Sequence, residues 1–230
     1  MCLNNWGGID HKVLEFHEYV NLFSGKSGSG KSTVMDAIQV ILYGSFSPSF
    51  LNKAADDAKN RRSVLSYLRG EQKDGSANRK DCDFCSVIAL EIEDTGTHII
   101  TCIGIAFEVR KSDSEIKKFV YFSHSGKMPE SEYLTEQGVC YSNQEIKKLV
   151  SARTKSDDNR GKGEVNRIYG SKEAYLGTLY DVILGYIDQN RFITMEKSAI
   201  ALKMTNGTGQ FIRDYMFPKN TSNTIATISE

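Results

Sequence analysis

The chain has 230 residues in which 29 Lys plus Arg balance 29 Asp plus Glu, and 40% of it is hydrophobic. That length holds one large domain or two small ones around an ample core, and the composition is that of a globular protein. The neutral balance excludes a global attraction to nucleic acid, leaving only a local patch, and no apolar run approaches the ~18 residues of a membrane span, so no membrane partner is expected.

The N-terminus, MCLNNWGGIDHK, has neither a basic start nor an apolar stretch, so a signal peptide is not expected. Cys2, Cys82, Cys85, Cys102 and Cys140 form an odd set without a disulfide framework, which fits a reducing cytoplasm. Lys12 to Phe16 reads as a partner strand. Val20 to Ser24 (VNLFS) is a short apolar run that stops at glycine, the pattern of a buried strand entering a phosphate loop. From Lys31 to Tyr43, apolar Val34, Ala37, Ile38, Ile41 and Leu42 lie on one helical face, and Gly44 is a natural stop.

Residues 45–82 are polar and basic, with a short helix expected at Ser63 to Leu68. Phe84 to Glu93 then alternates, with Ile88, Leu90 and Ile92 on one face. The turn Asp94 to Thr97 leads into Ile99 to Val109, with Ile99, Ile103, Ile105 and Phe107 on one face, and Phe119 to Phe122 makes a third strand. Short turns between alternating strands predict an antiparallel meander. Ser142 and Glu145 have capping-box spacing and open a helix to about Ala152. Lys155 to Asn166 is charged and reads as a loop. Ser171 to Tyr186 carries Tyr175, Leu179, Val182, Ile183 and Tyr186 at helical spacing, a core-packing stripe; more helix is expected at Glu196 to Met204 and Gln210 to Phe217. The organisation expected is a domain over 1–218 with a frayed tail at 219–230.

The segment Gly25 to Ser32, GKSGSGKS, has the form G-x-x-x-x-G-K-[ST] of a P-loop. Each residue type has a physical reason. Gly25, Gly28 and Gly30 permit backbone geometries and close approach that a side chain would block. The N–H groups from Gly28 to Thr33, with Lys26, Ser27 and Ser29 in the loop, form a nest for phosphate oxygens at a helix N-terminus. Lys31 reaches the β and γ phosphates, Ser32 is placed as a Mg²⁺ ligand, and Thr33 caps the α-phosphate. The cofactors implied are ATP and Mg²⁺. A G-x-G-x-x-G dinucleotide motif and an NKxD guanine motif are both absent.

The P-loop helix leads to a basic segment and an antiparallel region rather than to further parallel strands, the order of ABC-type ATPase heads. The run NLFSGKSGSGKSTVMDAIQVILYG, then NKAADDAKNRRSVLSYLRGE, VIALEIED, EAYLGTLYDVILGYID and GQFIRDYMFP, resembles the N-terminal head lobe of SMC-like ATPases. It is similar to the MukB/MksF-like branch, which includes the SMC-like subunit of Wadjet plasmid-defence systems. The likeness runs from about Asn5 to Pro218. It implies an α/β P-loop NTPase lobe of ABC/SMC type, with a mixed sheet, an antiparallel flank and C-terminal helices. Two heads would sandwich ATP and act on DNA with kleisin-type accessory subunits, in a bacterial cytoplasm at nucleoid or plasmid. The family's C-terminal lobe supplies the LSGG-like signature and acidic Walker B strand. Neither stands here, so the chain is expected to hold half of a composite hydrolysis site. The alternatives are a small-molecule or nucleotide kinase and a non-hydrolysing ATP-dependent interaction module.

Several residues admit two readings. Gln210, or Gln189 in YIDQNRF, is a candidate for the Q-loop glutamine at Mg²⁺; the plainer reading is a solvent-facing helix residue. Arg61, Arg62 and Arg69 stand where SMC-like heads carry a basic loop, and either contact DNA phosphate or the nucleotide, or form a solvated face balanced by Asp56, Asp57 and Glu71. Cys82 and Cys85 have zinc-knuckle spacing without a second pair. His11, His17, His98 and His124 are read as structural or surface residues. Trp6 either stacks near adenine or, on the preferred reading, packs in the core.

Overall fold

The computed structural model describes residues 1–26, 28–47, 63–72, 75–157 and 165–200, with the side chains of 197–200 excepted. The chain divides into two units, Met1–Ile187 and Asp188–Glu230. In the second, the described element is helix α5 (Gln189–Ile200), opened by Asp188, whose Oδ1 accepts from Arg191 N at 2.8 Å.

The first unit is built on a six-stranded sheet in the order β2-β1-β3-β4-β5-β6. Its strands are β1 (Cys2–Trp6), β2 (Ile9–Val13), β3 (Phe84–Glu93), β4 (Ile100–Val109), β5 (Lys118–Ser125) and β6 (Arg167–Tyr169). The meander forms as its alternation predicts, with Ile88 opposite Ile105 and Ile105 opposite Tyr121. Asp94 closes the β3–β4 turn by accepting from Gly96 N and Thr97 N, both at 2.8 Å. All strand pairings among the described residues are antiparallel. The expected mixed sheet is therefore not formed by them. The strand that would supply its parallel member, Val20 to Ser24, runs without ladder bonds. The partner strand expected from Lys12 to Phe16 overlaps β2 only at Lys12 and Val13, and pairs with β1 instead.

The middle of the sheet is covered on both faces. On one, Cys2, Val87, Ala89, Ala106 and Phe122 pack against Tyr133, Cys140, Ile146 and Val150 from the 126–142 loop and helix α3 (Asn143–Asp157). On the other, Phe46 packs edge-on against Phe107 and Phe119, beside helix α1 (Lys31–Tyr43). The capping box of α3 forms as predicted: Ser142 N donates to Glu145 Oε2 at 2.7 Å and Glu145 N to Ser142 Oγ at 3.3 Å. The helix runs past Ala152 to Asp157, and along this extension Thr154 Oγ1 bonds Val150 O at 3.0 Å and reaches Asn166 O at 3.4 Å.

Helix α2 (Val64–Arg69) is capped by Ser63, whose Oγ accepts from Ser66 N at 3.1 Å. The single helix expected from Ser171 to Tyr186 is broken into α4 (Lys172–Gly177) and a π-helical turn (Thr178–Ile183). The wider turn is closed by Leu184 N to Leu179 O at 2.8 Å. It shifts the register, so Tyr175 and Leu179 are buried while Val182 and Tyr186 face solvent.

Candidate nucleotide site

Helix α1 has the boundaries its periodicity predicts, with Val34, Ala37, Val40 and Ile41 buried and Gly44 in the left-handed region at φ 53°. Its last turn holds no basic residue. The carbonyls left over at that end are met by three tyrosines instead. Tyr175 Oη donates to Ile41 O at 2.9 Å, Tyr180 Oη to Leu42 O at 3.0 Å and Tyr121 Oη to Gly44 O at 2.6 Å. The Tyr175 stripe thus does more than fill space: it fixes where α1 ends. Burial pushes the Tyr121 and Tyr180 hydroxyls up to about 12, so they remain donors.

At the other end, the loop from Gly25 to Gly30 enters α1 with Gly28 and Gly30 at φ 84° and 88°. These are left-handed conformations that a side chain would strain, which explains both glycines. A Cβ on Gly25 would lie 2.6 Å from Ser29 Oγ and 3.2 Å from Ser29 Cβ, so a side chain there would displace the serine. Lys31 Nζ folds across the loop, donating to Gly25 O at 2.7 Å, Lys26 O at 2.9 Å and Ser29 Oγ at 3.2 Å. The ammonium is thereby centred on the loop. Ser32 is exposed beside it and Thr33 is half-buried. A cation, a helix N-terminus and a hydroxyl converge at one place, an arrangement that fits a polyphosphate with its Mg²⁺. Lys31 would exchange its carbonyl partners for phosphate oxygens, and Ser32 Oγ would be the protein's ligand to the metal.

Other candidate residues are placed differently. Ser27, Arg61, Arg62 and Gln210 lie outside the described residues, as does the tail at 219–230. Arg69 spends Nη2 on Lys111 O at 3.2 Å and Asp113 O at 2.5 Å, joining α2 to the β4–β5 turn. These bonds give its Nη2 a structural task. Gln189 opens α5 in the second unit. Cys82 is exposed and Cys85 half-buried, both free thiols; among the described residues, no group of three His, Cys, Asp or Glu could hold a metal ion.

Trp6 is fully buried, as its core reading expects, and stacks on Tyr67 at 5.1 Å with 8° between planes. It is no adenine platform. Two residues that the sequence left unremarked also belong near α1: Asp36, buried on the helix and bonded by the Tyr67 hydroxyl, and Arg79, buried beneath the β1–β2 turn. Spacing carried no signal for Asp36, which lies off the helical face of Val34, Ala37, Ile38 and Ile41.

Residues 1–58 match the family model described as "P-loop containing region of AAA domain". No curated protein matches the chain. The match spans β1, β2, the P-loop and α1, and with the loop geometry it supports nucleotide binding by a region similar to P-loop NTPases.

Proposed function

We propose that the chain is the ATP-binding lobe of an SMC-like, DNA-associated ATPase and contributes half of a composite hydrolysis site. One observation carries this reading beyond P-loop binding. The approach to the loop is apolar yet largely outside: Val20 is 78% and Leu22 89% exposed. A strand that feeds a phosphate loop needs sheet neighbours to hold the loop rigid. Here such neighbours would come from a second lobe, which would also bring the acidic group that activates water. Lys31 and Ser32 would hold the triphosphate and Mg²⁺, and DNA contact would fall to Arg61 and Arg62.

Mg-ATP binding and turnover, measured with and without an added C-terminal lobe, test the proposal. Binding without turnover by the chain alone, with turnover appearing on complementation, is the expected result. Appreciable turnover by the lone chain would overturn the half-site reading.

A further inference from the structure

For Lys31, Ser32 and Thr33 to act together, the first turns of α1 must be held in place. Yet its N-cap, Gly30, makes no side-chain cap bond, and the loop before it is exposed. The restraint lies on the helix's other side. Trp6 and Tyr67, stacked in parallel and both buried, form a rigid slab against α1. Each ring delivers one polar hydrogen to the helix: Trp6 Nε1 donates to Thr33 O at 2.8 Å, and Tyr67 Oη donates to the Asp36 carboxylate. Positions 33 and 36 are one turn apart, so both bonds reach the same face.

The slab is itself anchored. Gly7 N donates to Tyr67 O at 2.8 Å, tying the β1–β2 turn to α2. The buried Arg79 guanidinium then clasps both, donating to Gly7 O at 2.5 Å, Leu68 O at 2.9 Å and Asp10 Oδ1 at 2.7 Å. Gly7 also presses on Thr33, where a Cβ would come within 2.5 Å of Cγ2.

We propose that Trp6 and Tyr67 are positioning residues of the nucleotide site, setting the place of Thr33 and the first turns of α1 through these two bonds. The inference rests on the reading of the P-loop as an ATP site. A phosphate-binding turn must be held to within ~0.5 Å to keep its donors convergent, and a stacked pair with few rotamers supplies that stiffness.

The test uses the full chain and two variants: Tyr67→Phe keeps its ring and drops one bond, and Trp6→Phe drops the other bond together with the second ring of the indole. Mg-ATP and Mg-ADP affinity and stoichiometry are measured by calorimetry, and amide hydrogen exchange is followed along α1 and β4. Each variant should weaken both nucleotides by about 5-fold or more, with the larger loss for Tyr67→Phe, whose bond goes to a buried carboxylate, at unchanged stoichiometry. Exchange at residues 33–37 should quicken by a similar factor while β4 is unaffected. Unchanged exchange there overturns the proposal, and so does reduced stoichiometry with unaltered affinity, the signature of a merely structural role. If the parent binds neither nucleotide, the ATP-site reading falls, while the exchange data still decide whether the pair holds the turn. If Trp6→Phe fails to fold, Tyr67→Phe carries the same comparison.

Discussion

Strand β4 and the segment leading into the P-loop carry similar apolar side chains in opposite surroundings. Ile103, Ile105 and Phe107 are fully buried, whereas Tyr19, Val20 and Leu22 stand largely in solvent. The difference is in their neighbours. Strand β4 has β3 on one side and β5 on the other, with helices over both faces. The approach segment makes a local turn, His17 N to Asn21 Oδ1 at 2.6 Å and Asn21 Nδ2 to His17 O at 2.8 Å, and joins no strand ladder. Apolar content says that a segment can be buried; the presence of a partner decides whether it is.

Substitutions in the two regions should therefore separate stability from binding. The largest effect is expected at Phe107, where replacement by Ala removes a ring from the packed face and should cost about 3–5 kcal/mol in denaturant unfolding. A loss near zero would show that this face is not a true core. Next comes the pH dependence of the sheet. His124 is buried on β5, bonded to Ser125 O at 3.0 Å and to Tyr133 Oη at 2.9 Å, and burial pushes its pKa down to about 4 from 6.5. Between those values the unfolded chain takes up a proton that the folded protein refuses. Its contribution is complete above pH 6.5 and falls away toward pH 4, about 3 kcal/mol in all. Unfolding followed across this window, against a His124→Gln variant, isolates that slope from the carboxylates.

In the loop the pattern should invert. Lys31→Ala should lower Mg-ATP affinity by at least about 100-fold, ~2.7 kcal/mol, with thermal stability unchanged, because the partners of Lys31 among the described residues are exposed loop atoms. Equal affinity for parent and variant would sink the nucleotide site. The smallest effect is expected at Leu22→Ser, within about 0.5 kcal/mol for the lone chain. The same change should impair complementation by a C-terminal lobe, which assays of the reconstituted pair would reveal.

Much of this protein is legible in its sequence because the signals are local. The periodicity of Val34 to Ile41 and the stop at Gly44 set α1 to the residue, and the capping box at Ser142 and Glu145 forms bond for bond. The P-loop is equally local, since Gly28 and Gly30 take left-handed backbone angles within a run of consecutive residues. Strands β1 and β6 escaped notice: CLNNW has two asparagines, RIY is three residues long, and each is a strand only because a longer one lies beside it. The exposure of Val20 to Phe23 was hidden for the converse reason, an apolar pattern without its neighbour.

Sequence alone thus determined where a phosphate nest would lie and which residue types would line it, since consecutive residues and their backbone angles suffice for such a nest. Tertiary structure decided how that nest is held. Three tyrosines from β5, α4 and the π-helical turn cap the far end of α1, and Trp6 and Tyr67 brace its near end. None of these contacts follows from spacing along the chain, because each joins groups brought together only when the sheet closes over the helix.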